Sequence, residues 1–157
     1  MVARLCAWAL SVALAGLVPG VAVAQVQGEP RIIDGAMLEV AGRRVRLHGI
    51  RVPALDQTCL RMGHPYPCGQ VARAVLWNLT GGREVICTPV TGGDPGEGAA
   101  VPATCAVAGM SLNEGMVAAG WALADRAVAA SYTALEDGAR EAGRGLWSGA
   151  FDLQPAD

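Results

Sequence analysis

The chain of 157 residues has no lysine, and all 12 of its basic residues are arginine. They stand against 14 acids, for a formal net charge of −2. With a sequence pI near 5.6, this balance excludes a protein that works by coating nucleic acid with positive charge. It leaves room for a local basic groove. Charged residues are few, 17% against 52% hydrophobic, and that ratio excludes a disordered chain. Aromatic residues are only 4%, with a single phenylalanine. Long apolar runs are nearly absent. The one present, Leu5 to Val18, is about 14 residues, short of the roughly 20 that span a bilayer.

That run carries the flanks of an export signal. Arg4 gives a positive start, Pro19-Gly20 breaks the run, and Ala22-Val23-Ala24 forms a small-residue cleavage site before Gln25. The expected organisation is a signal peptide at 1–24, a polar lead at 25–30, one domain at 31–151 and a tail at 152–157. Cys6 stands at the start of the apolar run and not after it, which argues against a lipid anchor. No membrane span remains after signal removal, and the expected location is periplasmic or secreted. What remains is one small domain, of the size that benefits from staples.

Removal of the signal leaves Cys59, Cys68, Cys87 and Cys105. An even count in an exported chain predicts two disulfides, and four cysteines allow three connectivities. The chain lacks the two close pairs that a zinc ribbon needs. Arg83 to Val90 and Val101 to Val107 read as strands. A hairpin centred on Gly96 sets Cys87 opposite Cys105 and leaves Cys59 for Cys68.

Elsewhere, Arg31 to Val40 and Arg43 to Ile50 read as a hairpin turning at Ala41-Gly42. In the second run Val45, Leu47 and Gly49 alternate with Arg44, Arg46 and His48, one face in and one out. Arg51 to Pro67 reads as loop. Helical spacing over Cys68 to Thr80 is stopped by Gly81-Gly82. Ser111-Leu112-Asn113-Glu114 is a capping box opening a helix to about Ala119. Trp121 to Ala124 is briefly extended, and Ser131 to Ala142 is a last helix with Ser131 as N-cap. There is no internal repeat. Strands interrupted by a helix suit a small barrel with helices packed at its ends.

Several of these segments resemble a known family. They are Ile33-Asp34-Gly35, Val45-Arg46-Leu47-His48-Gly49-Ile50 with Pro53, Gln57-Thr58-Cys59, and Cys68-Gly69 with Ala72. Further along come Val85-Ile86-Cys87, Ala103-Thr104-Cys105, Leu112-Asn113 and Val117-Ala118-Ala119-Gly120-Trp121-Ala122. The last are Tyr132, Glu136, Ala139-Arg140 and Gly145-Leu146-Trp147. Their order and spacing, from Arg31 to Phe151, resemble the thermonuclease family of staphylococcal-nuclease-like domains, in its exported, disulfide-bearing branch. The resemblance implies an α+β, mainly β architecture: an OB-fold five-stranded barrel with three helices. It also implies calcium-dependent hydrolysis of phosphodiester bonds in DNA and RNA. Such family sites hold calcium with the second acid of an Asp-Gly-Asp turn and an Asp in a Gly-Ile-Asp-x-Pro-Glu segment. The Glu of that segment activates water, and two arginines stabilise the phosphoryl charge.

The chain departs at most of those positions. The turn reads Asp34-Gly35-Ala36, and the segment reads Gly49-Ile50-Arg51-Val52-Pro53-Ala54. Ala36 and Arg51 therefore replace the metal-binding acids, and Ala54 replaces the general base. Arg46 keeps one phosphate-clamping position. The second arginine belongs near Asp94 to Ala100, and no basic residue lies between Arg83 and Arg126. Loss of a general base alone costs about 10²–10⁴ in rate, and a fixed cation at Arg51 repels calcium. The expectation is therefore a catalytically inactive domain acting as a binding module. No catalytic residue set is intact, no metal is expected, and calcium is a cofactor only of the family. The alternatives are a calcium-dependent nuclease with a rearranged site and a non-catalytic nucleic-acid binder.

Binding candidates are Arg46, Arg51 and Asp34, for an unidentified protein or acidic polymer as partner. Asp34 and Asp56 are the acids nearest the altered site, and Asp34 also reads as a turn cap. The arginine-rich half, with Arg43, Arg44, Arg61 and Arg73, reads as a groove for nucleic acid or another acidic polymer. The preferred reading is a solvated face with ion pairs to nearby acids. Among loop aromatics only Tyr66 is available to stack a base. His48 and His64 lack a nucleophile partner, and Trp77, Trp121 and Trp147 read as packing residues.

Overall fold

A computed structural model describes residues 24–90 and 98–153. Almost all of the signal segment, the loop centre at Gly96 with Asp94 and most of its neighbours, and the end of the tail lie outside the described residues. The strands are β1 (Val26–Gly28), β2 (Pro30–Ile32), β3 (Met37–Val40), β4 (Arg43–Leu47), β5 (Ile50–Arg51), β6 (Cys59–Arg61) and β7 (His64–Tyr66). Helix α1 (Cys68–Thr80) follows, then β8 (Val85–Pro89), β9 (Val101–Val107), β10 (Met110–Ser111) and α2 (Leu112–Ala118). The chain continues through β11 (Leu123–Ala124), a 3-10 turn at Ala130–Tyr132, α3 (Thr133–Glu141) and a 3-10 turn at Gly145–Ser148.

Seven strands form the main sheet, in the order β1-β8-β9-β4-β3-β2 with β10 added to β9. Only the β4/β9 pair is parallel; the others are antiparallel. The two ends of this path, β1 and β2, are separated in sequence by Glu29 alone. One residue reaches only about 7 Å between its neighbours, so the sheet must curl until its first and last strands nearly meet. The ends are joined through the chain, and no ladder joins them among the described residues. The result is the mixed, curled sheet with three α-helices of an OB-like α+β fold.

The alternation in β4 directs the core. Val45 and Leu47 are fully buried while Arg44 and Arg46 are exposed. Leu38, Val40, Val85 and Val107 join them from neighbouring strands, and Leu76, Met116 and Val117 close the core from α1 and α2. A second cluster gathers Cys59, Cys68 and Leu146, with Tyr66, Trp121 and Phe151 packed against it. Both disulfides form as paired from the sequence, Cys59–Cys68 and Cys87–Cys105. The second joins residues directly opposite in the β8/β9 ladder.

Helix α1 ends where its glycines predict. Gly81 takes φ 58° and donates to the carbonyls of Trp77 and Asn78, a left-handed cap that glycine adopts without steric cost. The N-cap half of the capping box is also present, with Ser111 Oγ accepting from the Glu114 amide at 3.2 Å.

Five expectations need correction. The polar lead 25–30 carries β1, which pairs with β8 from Val26↔Cys87 to Gly28↔Val85. The first long run is not one strand. Asp34 turns it into the β2/β3 hairpin. The stretch Arg51 to Pro67 is not only loop, because β6 and β7 form a hairpin stapled to α1 by Cys59–Cys68. Ser131 lies inside the 3-10 turn, so α3 starts at Thr133 without a side-chain cap. Trp77 is 59% exposed, because it lies on the side of α1 away from Ala72 and Leu76.

Candidate functional site

The altered segments converge at one end of β4. Asp34 Oδ1 accepts from the amides of Ala36 at 2.7 Å and Met37 at 2.8 Å. Its carboxylate is thus committed to holding the turn, as the turn-cap reading expects. Ala36 is fully buried, and its carbonyl accepts from Leu47 N at 2.7 Å. The same turn abuts the second segment. A Cβ placed on Gly35 would lie 3.3 Å from the Val52 Cβ and 3.0 Å from the Ala72 Cβ.

Arg46 projects from the exposed side of β4, where its cross-strand partners are Met37 and Pro102. Arg51 is half-buried on β5, opposite Leu123 of β11. Among the described residues, neither has an acid within the 4.0 Å of an ion pair. Ala54 is exposed in a turn closed by Gln57, whose amide donates to the Ala54 carbonyl at 2.9 Å while its side chain accepts from the Ala54 amide at 3.2 Å. That turn rests on Gly69. A Cβ there would be 1.8 Å from the Ala54 oxygen, so the start of α1 can approach only as glycine.

Calcium wants several carboxylate or carbonyl oxygens. The residues here offer a methyl at Ala36, a guanidinium at Arg51, a methyl at Ala54 and a carboxylate at Asp34 already accepting two amides. Among the described residues no three His, Cys, Asp or Glu side chains are grouped to hold a metal. This donor set does not fit calcium.

The remaining arginines divide. Arg31 is neutralised by Glu39 at 2.6 Å. Arg61 lies over the Tyr66 ring at 4.9 Å. Tyr66 in turn packs edge-on to Trp121, so its ring is part of the interior cluster and does not stand out as a stacking platform. Asp56 and His64 are exposed, and His48 is half-buried.

Two structural residues carried no role in the sequence reading although both lay in the resembling segments. Asn113 is fully buried where β4 leaves β9. Its side chain accepts from Cys105 N at 3.0 Å and donates to the carbonyls of His48 at 2.9 Å and Ala103 at 3.2 Å. It replaces the missing strand partner. Glu136 is also buried, accepting from Ala124 N at 2.8 Å with Arg126 at 3.4 Å. It ties α3 to β11 and so to β5, which carries Arg51. The signal for both was a polar residue inside an apolar helical face. Tyr132 packs beside Gly49; burial, and then the Glu114 carboxylate, push its phenol above the ordinary value.

A curled mixed sheet with helices packed against it and an exposed arginine near the end of β4 fit an OB-like domain of the nuclease-fold class. The chain belongs to the staphylococcal nuclease homologue family, whose model matches residues 44–149. No curated protein matches it.

Proposed function

We propose that this domain does not hydrolyse nucleic acid and acts outside the cytoplasm, in the periplasm or exterior, as a binding module. Its ligand is an acidic group on a protein or polymer, taken by Arg46 and Arg51. The observation that carries this reading is the setting of those two residues. Each is a fixed cation beside apolar strand neighbours, with no acid in ion-pair range among the described residues. A guanidinium offers a planar fork of donors suited to carboxylate or phosphate. At the same place it repels calcium.

A digestion assay on plasmid DNA and RNA with calcium tests the first half. The expected result is no cleavage above the buffer blank. Calcium-dependent cleavage that Arg46→Ala abolishes overturns the proposal in favour of a rearranged nuclease. Retention on heparin tests the second half. Wild type is expected to elute later than Arg46→Ala/Arg51→Ala, with a difference that shrinks as salt rises. Equal elution overturns the assignment of the binding residues. Salt-dependent retention of single-stranded DNA, lost in the same double variant, makes the acidic polymer a nucleic acid.

A further inference from the structure

A separate groove of about 790 Å³ lies between β2 and α1, within the range of ligand clefts. From α1 it is lined by Gln70, Arg73, Ala74, Trp77 and Asn78. These positions follow i, i+3, i+4, i+7, i+8, a single helical stripe. It is distinct from the buried stripe of Cys68, Ala72, Leu76 and Thr80. From the sheet the groove is lined by Glu29 to Ile32.

The sheet side of the groove is an unpaired edge. β2 ends the strand path, and among the described residues only β3 pairs with it. The polarity of that edge follows from the ladder. Ile33 N donates to Met37 O at 2.8 Å, which marks 33/37 as a bonded pair. In an antiparallel ladder bonded pairs alternate with non-bonded ones. Arg31/Glu39 is then the next bonded pair, while Ile32/Leu38 and Pro30/Val40 are not. The N–H and C=O of Ile32 and the C=O of Pro30 therefore point away from β3, into the groove. Pro30 agrees independently, since a residue without an N–H is placed on the open side of an edge strand. An edge with outward donors and acceptors beside a helix is the geometry of strand addition.

We infer that this groove binds an extended segment of a partner protein. The segment adds to β2 as a strand, sets an apolar side chain against Trp77 and an acidic side chain against Arg73. Charge chooses the acid at the α1 wall, across the groove from Glu29 of the sheet wall. Arg31 is already paired with Glu39 at 2.6 Å, whereas Arg73 has no acid in ion-pair range among the described residues. Exposure chooses the apolar contact. Trp77 is 59% exposed, and tryptophan in a groove is a typical energetic anchor.

A displayed library of random heptapeptides, selected against the full exported chain, is the probe. The expected winners alternate apolar residues and carry an acid. They bind at least about 10-fold more weakly to Trp77→Ala, and Arg73→Glu switches the preference to basic peptides. Both side chains are exposed, so neither change threatens the fold. Hydrogen exchange reads the backbone half. The Ile32 amide should exchange freely in the unbound protein and slow by at least about 10-fold with a selected peptide. An Ile32 amide already as protected as that of Val45 overturns strand addition. A library that selects nothing, or winners indifferent to Trp77 and Arg73, overturns the site. A concentration-dependent dimer that Trp77→Ala dissociates assigns the groove to a second copy instead.

Discussion

Asn113 carries more of the architecture than its neutral side chain suggests. Where β4 turns away, β9 would be left with an unanswered amide at the buried Cys105, and the carbonyl of His48 would lack the donor it has now. The Asn113 side chain answers both, and adds a second donor to the Ala103 carbonyl, which already accepts from His48 N at 2.9 Å. Each buried group left unmade costs about 1–3 kcal/mol. Asn113→Ala is therefore expected to lose about 2 kcal/mol or more, read as a lower urea midpoint with an unchanged slope. Asn113→Asp keeps the acceptor for Cys105 but turns an oxygen toward two carbonyls, and should also destabilise. Tyr66 gives the opposite case. Its hydroxyl is buried with no hydrogen-bond partner among the described residues, while its ring packs on Trp121. Removing an unpaired buried hydroxyl relieves a desolvation cost. Tyr66→Phe should be neutral or raise stability by up to about 1 kcal/mol, whereas loss of more than that would show the hydroxyl to be engaged.

Between elements, the decisive link runs from α3 to β11 to β5. Glu136 reaches from α3 to the amide of Ala124, and Ala124 pairs with Ile50 beside Arg51. A charge-assisted bond of this kind contributes about 1.5–3 kcal/mol. Glu136→Ala should cost that much. It should also speed hydrogen exchange at Ala124 and Ile50 more than at Val45 in β4, which separates a local anchor from general loss of fold. Glu136→Gln keeps an acceptor and should recover part of the loss. Little of this link was legible beforehand. The elements whose ends are set by local chemistry were readable: α1 by Gly81, α2 by Ser111, and the β8/β9 register by the cysteine spacing. Elements set by distant partners were not. Val26 to Gly28 looks like a polar lead because a three-residue edge strand has no period to read, and only β8 makes it a strand. The β6/β7 hairpin was hidden by Pro65 and Pro67, which punctuate a loop and a two-stranded edge alike. At the altered site, the turn-capping role of Asp34 was readable from its neighbours. The contact of Gly35 with Val52 and Ala72 was not, since it joins three separate segments. The β2/α1 groove was invisible for the same reason, and Trp77 was assigned to packing because helical spacing alone does not say which stripe faces the sheet.

For the whole molecule, the two disulfides decide where it can persist. The core is small and, among the described residues, the ends of its sheet are joined through Glu29 and not by a ladder, so covalent links matter more than in a larger domain. Formed disulfides belong to an oxidising, extracytoplasmic environment. The Cys87–Cys105 loop spans 18 residues and the Cys59–Cys68 loop spans 9. Chain-entropy arithmetic gives about 3 and about 2.5 kcal/mol for loops of these lengths. Their sum is comparable with the lower end of the roughly 5–15 kcal/mol that holds a domain together. Reduction should therefore unfold much of the population at room temperature, seen as loss of near-ultraviolet circular dichroism in dithiothreitol. The two bridges should differ in kind as well as size. Cys87→Ser/Cys105→Ser cuts between central strands of the main sheet, and its loss should appear in global unfolding. Cys59→Ser/Cys68→Ser frees the β6/β7 hairpin from α1, and its loss should appear first as faster exchange at Leu60 and Tyr66 while β4 and β9 stay protected. A reduced chain with the native midpoint would overturn the role of both bridges as staples, and equal exchange profiles in the two double variants would overturn the division between them.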